Sequence, residues 1–332
     1  MEISKEQATI IKGFLIVMMI FLHLFDENHI GLCINTFYIG NSPFALWLHK
    51  ACNPVGFFLI LSGYGMAYSL GDKRLTYITQ IIRIFKLYVN YWVILFIFIS
   101  LRVLMGGSYG TVPQLISNII GWEYTYNAET WFLLPYCIIS LLSLYIIRCI
   151  SCLGAFRALL VSGAIYICIC FVISRYGENL YDNMLLYRPL QVLLFLYSFT
   201  VGVVFYRLRK IGLSIPSWSA LLGIVVLVSI VATFSNSVLY MIYEPLLTFL
   251  FCQLSIPKFL KIVLIEFGRK SMPMWLIHTW YCYYLFQSQI YSLHYPLLIL
   301  IVVVSISYLT AIPTIWLSKC IINKVINQKQ LN

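Results

Sequence analysis

The sequence predicts an all-α fold, a polytopic membrane protein built as a bundle of about ten transmembrane helices with both termini cytoplasmic. Three observations carry that prediction. Apolar residues make up 61% of the 332-residue chain and charged residues only 10%, too little polar surface to coat a water-soluble globule of that length. The apolar residues fall in runs of about 20, the length at which a helix crosses the hydrocarbon layer. Lys and Arg alternate with these runs in a one-sided pattern, as short cytoplasmic loops require.

The predicted spans are, in order, Thr9 to Phe25, Ala51 to Leu70, Ile81 to Met105, Thr130 to Ile150, Ala158 to Tyr176, Pro189 to Tyr206, Trp218 to Phe234, Leu239 to Ile256, Ser271 to Gln287 and Pro296 to Leu317. The first has no small-residue cleavage site after it and runs into Asp26 and Glu27, so it reads as a retained helix and not a signal peptide. Long polar breaks, Asp26 to Lys50 and Gly106 to Glu129, separate the first span from the second and the third from the fourth, and both are placed outside. Pro135, Pro245, Pro273 and Pro313 leave room for kinks in later spans. No soluble segment of useful size interrupts the series, so residues 1–332 read as a single domain. No internal repeat is visible.

With ten spans and an internal N-terminus, all of the 22 Lys and Arg residues except Lys50, Arg102, Arg175 and Arg188 fall on the cytoplasmic face. The net charge of +11 is therefore a topological signal and not a sign of nucleic-acid binding. A face this basic also suits an anionic lipid headgroup or a polyanionic cofactor. Most of the ten cysteines lie within spans, where they act as packing residues, and the Cys149/Cys152 pair has no second pair to make a metal site.

Chemistry concentrates in the first span, where KGFLIVMMIFLH sets Lys12 and His23 eleven residues apart. At about 100° per residue that is three turns plus roughly 20°, so the two share a face about 16 Å apart. Lys12 then sits at the cytoplasmic mouth and His23 in the outer half of the bilayer. Ionisable groups in a span face the bundle interior and are candidates for function. Asp26 and Glu27 follow His23 at the helical spacings of three and four, from which either could orient the imidazole. Glu129 at the outer start of the fourth span and Glu244 in the eighth could reach it instead by packing. His278 and Ser271 share a face of the ninth span, with His278 about 12 Å from the cytoplasmic end, near the midplane. His29, His49 and His294 fall in outer segments and read as solvated.

Several segments together resemble the acyltransferase-3 family of integral membrane O-acyltransferases, known from O-acetylation of bacterial surface polysaccharides. Lys12 and His23 match its basic residue and histidine in the first helix, with Lys where Arg is common. VGFFLILSGYGM (residues 55–66) is similar to its second-helix FF..SG segment, and RIFKLY (83–88) to the basic motif opening its third helix, with Gln80 where a first Arg would stand. ETWFLLPY (129–136) resembles the tryptophan-led start of its fourth helix, and FGRKSMPMWLIH (267–278) its late histidine segment.

The resemblance implies an acetyl-CoA or other acyl-CoA donor in the cytosol, a hydroxyl acceptor on a cell-envelope or exported glycan, no metal, and a bacterial cytoplasmic membrane. It implies that Lys12, Arg83 and Lys86 meet the CoA phosphates, as paired cations do, and that Ser271 and His278 contact the pantetheine arm or thioester. His23 is then the general base, with Asp26 or Glu27 beside it, while Glu129, Trp131 and Glu244 attend the acceptor. Direct transfer and a covalent acyl-histidine relay both stay open. A transporter or flippase for lipid-linked glycans is the alternative class, since it too needs many spans with internal polar groups. A degenerate sensor of the same fold is a third.

Overall fold

The computed structural model describes residues 2–328, so the charge assignment of Lys329 falls outside it. The chain is helical almost throughout: α1 (Lys5–Leu24), α2 (Phe44–His49), α3 (Pro54–Gly71), α4 (Tyr77–Leu104), α5 (Val112–Ile119), α6 (Leu133–Leu153), α7 (Ala155–Tyr181), α8 (Met184–Arg207), α9 (Ser217–Phe234), α10 (Tyr240–Phe251), α11 (Lys258–Thr279), α12 (Gln287–Tyr291) and α13 (Pro296–Gln328). Between α1 and α2 lies one small antiparallel hairpin, β1 (Tyr38–Ile39) paired with β2 (Ser42–Pro43), with Tyr38 opposite Pro43. The protein is thus an all-α, multi-pass membrane protein.

Local chemistry sets the helix ends. Ser4 opens α1 with a capping box, its hydroxyl accepting from the Gln7 amide at 3.1 Å while the Gln7 side chain accepts from the Ser4 amide at 3.0 Å. Gly154 alone separates α6 from α7, and its φ of 81° is a left-handed turn that favours glycine.

Each of the ten predicted spans has a helix, and eight segments among the described residues are long and apolar enough to cross a membrane. The other two depart from expectation. Helix α10 has only 12 residues, about 18 Å of rise. Helix α11 begins at Lys258, thirteen residues before the predicted span, because its first half carries Lys258, Lys261, Glu266, Arg269 and Lys270 and so reads as a loop. Those charges are accommodated by pairing: Lys261 with Glu6 at 2.6 Å, and Lys270 with Glu266 at 2.6 Å.

Helices α1 and α11 form the closest pair in the bundle and lie side by side in a fixed register. Glu6 meets Lys261, Gly13 meets Gly268 and His23 meets His278, each pair separated by the same 255 positions in sequence. The two helices therefore run parallel. A side chain on Gly13 would lie 1.9 Å from the Leu264 carbonyl oxygen, and one on Gly268 would lie 1.9 Å from that of Thr9. Glycine at both positions lets the backbones touch, the small-residue packing that holds helices together where lipid supplies no hydrophobic drive. Returning to the direction of α1 takes an odd number of intervening helices, and α3, α4 and α6 to α10 supply seven, so the short α10 counts as one reversal.

Candidate active site

At the end of the bundle where α1 begins, a cavity of about 520 Å³ is bordered by Lys5, Lys12, Arg74 and Arg83. It shares Lys12, Ser62 and Arg83 with a second cavity of about 210 Å³ that runs deeper, between Met19, Phe58, Leu87, Phe132, Tyr136, Ser271 and Trp275. Among the described residues no carboxylate lies within 4 Å of Lys12 or Arg83, so neither is in an ion pair where the cavities join, and Glu2 is the one carboxylate lining the outer cavity. The inner cavity is mostly apolar and reaches Met19, one helical turn, or about 6 Å, short of His23 on the same face.

Beyond that wall His23 is 8% exposed and both of its ring nitrogens are engaged. Nε2 lies 2.7 Å from Glu129 Oε2, and Nδ1 lies 2.9 Å from Nε2 of the fully buried His278. His278 Nδ1 faces the carbonyls of Trp275 at 2.7 Å and Met274 at 3.2 Å. Carbonyl oxygens only accept, so His278 carries its proton on Nδ1 and presents a bare Nε2. That nitrogen in turn accepts from His23 Nδ1–H. One proton is then shared across the His23 Nε2 to Glu129 contact, and the three residues form a continuous chain from the carboxylate to the α11 carbonyls.

Glu129 belongs to a 3₁₀ turn (Ala128–Phe132) fixed to α11 at several points. Asn127 caps the turn, its Oδ1 accepting from the Glu129 amide at 3.1 Å and from the Thr279 hydroxyl at 3.0 Å, while its Nδ2 donates to the Leu276 carbonyl at 3.1 Å. The Trp275 indole donates to the Glu129 carbonyl at 3.1 Å. After His278 the helix widens into a π turn (Trp280–Leu285) that swings the Tyr283 hydroxyl onto the His23 carbonyl.

Several expectations change. Helix α1 stops at Leu24, so Asp26 and Glu27 are not on a continuing turn beside His23. Asp26 instead binds His29 Nδ1 at 2.5 Å, and Glu27 is exposed. His278 lies further along its helix than expected. With α11 starting at Lys258 it lies about 30 Å along the helix, level with His23, and bonds it. Glu244 is held apart, buried between Asn53 Nδ2 at 2.8 Å and Ser198 Oγ at 2.7 Å. Trp131 packs its ring against Phe195 at 5.5 Å. Lys86 is exposed and borders neither cavity, whereas Lys12 and Arg83 border both and Ser271 borders the inner one. His29 and His49 are partly buried and engaged, His49 Nδ1 lying 2.8 Å from the Leu22 carbonyl.

Sequence reasoning missed Asn127, Trp275, Tyr283 and Arg188. Asn127 left one signal, an Asx residue two positions before Glu129. Arg188, assigned to the outer face, is 2% exposed and donates to the carbonyls of Gly121, Trp122 and Trp131 at 3.0, 3.0 and 2.9 Å and to Gln191 Oε1 at 2.8 Å. It clamps the segment that carries Glu129. Arg188→Met, which leaves these acceptors without a donor, is expected to cost about 1–3 kcal/mol for each group left unpaired. Thermal unfolding of the purified protein in detergent measures it, and an unchanged midpoint would show that the segment holds itself.

A helical membrane bundle with a cation-lined cavity leading towards a buried His–Glu pair has the parts of a membrane-embedded group-transfer enzyme. The family model described as an acyltransferase domain, acyltransferase-3, matches residues 7–316. The chain belongs to this family and is a membrane acyltransferase. No curated protein and no solved structure matches it.

Proposed function

We propose that this acyltransferase moves an acyl group, most simply acetyl, from acyl-CoA at the basic face to a hydroxyl of a cell-envelope or exported glycan at the opposite face. The basic face is cytoplasmic in this reading, both termini lie there, and the membrane is the bacterial cytoplasmic membrane. The observation that carries it is the alignment along α1: two cations at Lys12 and Arg83, an apolar cavity ending near Met19, and the His23–Glu129 pair one turn further. CoA phosphates suit the cations, and an extended pantetheine arm suits a narrow path between helices.

In this mechanism the base is the His23–Glu129 pair acting as one unit, not His23 alone. The acceptor oxygen attacks the thioester carbonyl carbon as the carboxylate takes the hydroxyl proton. The C–S bond breaks, and the sulfur receives the proton shared at His23 Nε2. One shared proton then remains in the pair, and free CoA and the ester are the products. His278 holds His23 in one tautomer, as a positioning residue. Since both nitrogens of His23 are occupied, the arrangement favours direct transfer over a covalent acyl-histidine.

The test uses purified protein, radiolabelled acetyl-CoA and isolated envelope glycans. Label should enter the glycan, and Lys12→Ala and Arg83→Ala should each weaken acetyl-CoA binding by about tenfold, the loss expected for a charge-assisted contact. Salt should weaken wild-type binding too. Absence of acyl-CoA binding would remove this reading and favour transport of a lipid-linked glycan.

A further inference from the structure

Beside the His23 network stands a second imidazole–carboxylate pair. Asp26 Oδ1 lies 2.5 Å from His29 Nδ1 and also accepts from the backbone amides of Asn28 at 3.0 Å and His29 at 2.9 Å. This fixes the carboxylate in the loop after α1. The His29 ring is stacked on Tyr283 (centroids 4.6 Å apart, planes at 15°) and on Tyr291 (5.5 Å, 17°). Each tyrosine is anchored in turn to the end of α1, Tyr283 through the His23 carbonyl and Tyr291 through the Leu24 carbonyl at 2.9 Å. An imidazole at the end of a helix has been locked in place by a carboxylate and two rings.

The locking leaves one atom open. A carboxylate fixes a proton on Nδ1, so Nε2 of the neutral ring presents a lone pair. Among the described residues Nε2 has no hydrogen-bond partner, and the His29 side chain keeps 14% of its surface exposed. His23 differs, with both nitrogens satisfied inside the protein. The two imidazoles nevertheless share a wall, since the Tyr283 ring is edge-on to His23 at 6.2 Å and face-on to His29. A group held at His29 therefore lies within one small molecule's span of the His23–Glu129 pair.

From this geometry we infer that the Asp26–His29 pair is the acceptor-binding subsite, in which His29 Nε2 accepts a hydrogen bond from one hydroxyl of a neutral sugar while a neighbouring hydroxyl faces Glu129. The inference rests on the acyl-transfer reading and adds the residues that hold the acceptor. Its chemistry follows from what the subsite offers. His29 Nε2, Asp26 Oδ2 and the Glu129 carboxylate beyond Tyr283 accept hydrogen bonds, and among the described residues none of the contacts made by Asp26 or His29 comes from Lys or Arg. Such a surface takes a ligand with several O–H donors and rejects an anion. Tyr283 and Tyr291 hold the imidazole between their rings, with their hydroxyls committed to the end of α1. His29 acts on binding and orientation here, with no bond made or broken at its ring.

Saturation-transfer NMR on the full-length protein tests this with methyl glucoside and methyl N-acetylglucosaminide as neutral probes and methyl glucuronoside as the anionic one. Acetyl-CoA binding is measured by calorimetry on the same samples. Wild type should bind the neutral glycosides and discriminate against the glucuronoside by about tenfold. His29→Phe keeps a ring between the tyrosines and removes only the nitrogens, and both it and His29→Ala should lose about tenfold or more in glycoside affinity with acetyl-CoA affinity unchanged. Neutral glycoside binding that survives in His29→Phe would overturn the assignment. So would equal binding of the glucuronoside, or a wild type that binds acetyl-CoA but no glycoside. A wild type that binds no acetyl-CoA would remove the acyl-transfer reading and this inference with it.

Discussion

Glu129→Gln is expected to lower acyl transfer by about 10²–10⁴-fold, the range for removing a group that moves a proton in the transition state. His23→Ala is expected to do the same, and the double variant should be little worse than either alone, because the two act as one unit across a 2.7 Å contact. Acetyl-CoA affinity should hold in all three, since neither side chain borders the cation-lined cavities. The comparison that matters is between binding and turnover. A fall in acetyl-CoA affinity matching the fall in rate would place these residues in donor binding. Transfer that survives His23→Ala would remove the histidine from the chemistry altogether. His278→Gln, which can still accept from His23 Nδ1–H through its amide oxygen, should keep more activity than His278→Ala.

Gly13→Leu is the second variant expected to have a large effect, and it acts at a distance. Even a Cβ there would meet the Leu264 carbonyl carbon at 2.7 Å and its oxygen at 1.9 Å, and backbone cannot step aside as a side chain can. Helices α1 and α11 must move apart or slide. Overpacking of this kind costs about 1–3 kcal/mol and at times more, and the displacement is carried ten residues along each helix to the contact between His23 and His278. Lower thermal stability and loss of transfer are expected together. Gly212→Leu is the control, since a Cβ there meets nothing within 4 Å and the residue borders neither cavity. Gly13→Leu protein with wild-type stability and rate would show that the two backbones do not need this contact.

Much of the architecture was legible because lipid leaves the backbone few choices. Buried peptide groups must bond within their own helix, so apolar length alone predicts helices, and the placement of basic residues predicts direction. The same logic failed at α11, where Lys258, Lys261, Glu266, Arg269 and Lys270 look like a loop until the chain is helical, Glu266 meeting Arg269 and Lys270 a turn on and Glu6 of α1 meeting Lys261. Periodicity likewise put Lys12 and His23 on one face. It erred on Asp26 and Glu27, because side-chain spacing applies only while the helix continues, and α1 ends at Leu24.

What the sequence determined by itself, then, is whatever depends on one helix at a time: the spans, the shared face of Lys12 and His23, and the ordered motifs that mark the acyltransferase family. The tertiary structure decided which carboxylate reaches His23, that His278 lies at its level, and that Arg188 and Asn127 hold the turn carrying Glu129. Those contacts join residues more than fifty positions apart, through a glycine-to-glycine register and a widened turn. No periodicity reports such contacts, because each depends on how close two helices can approach, and that is settled only when they pack.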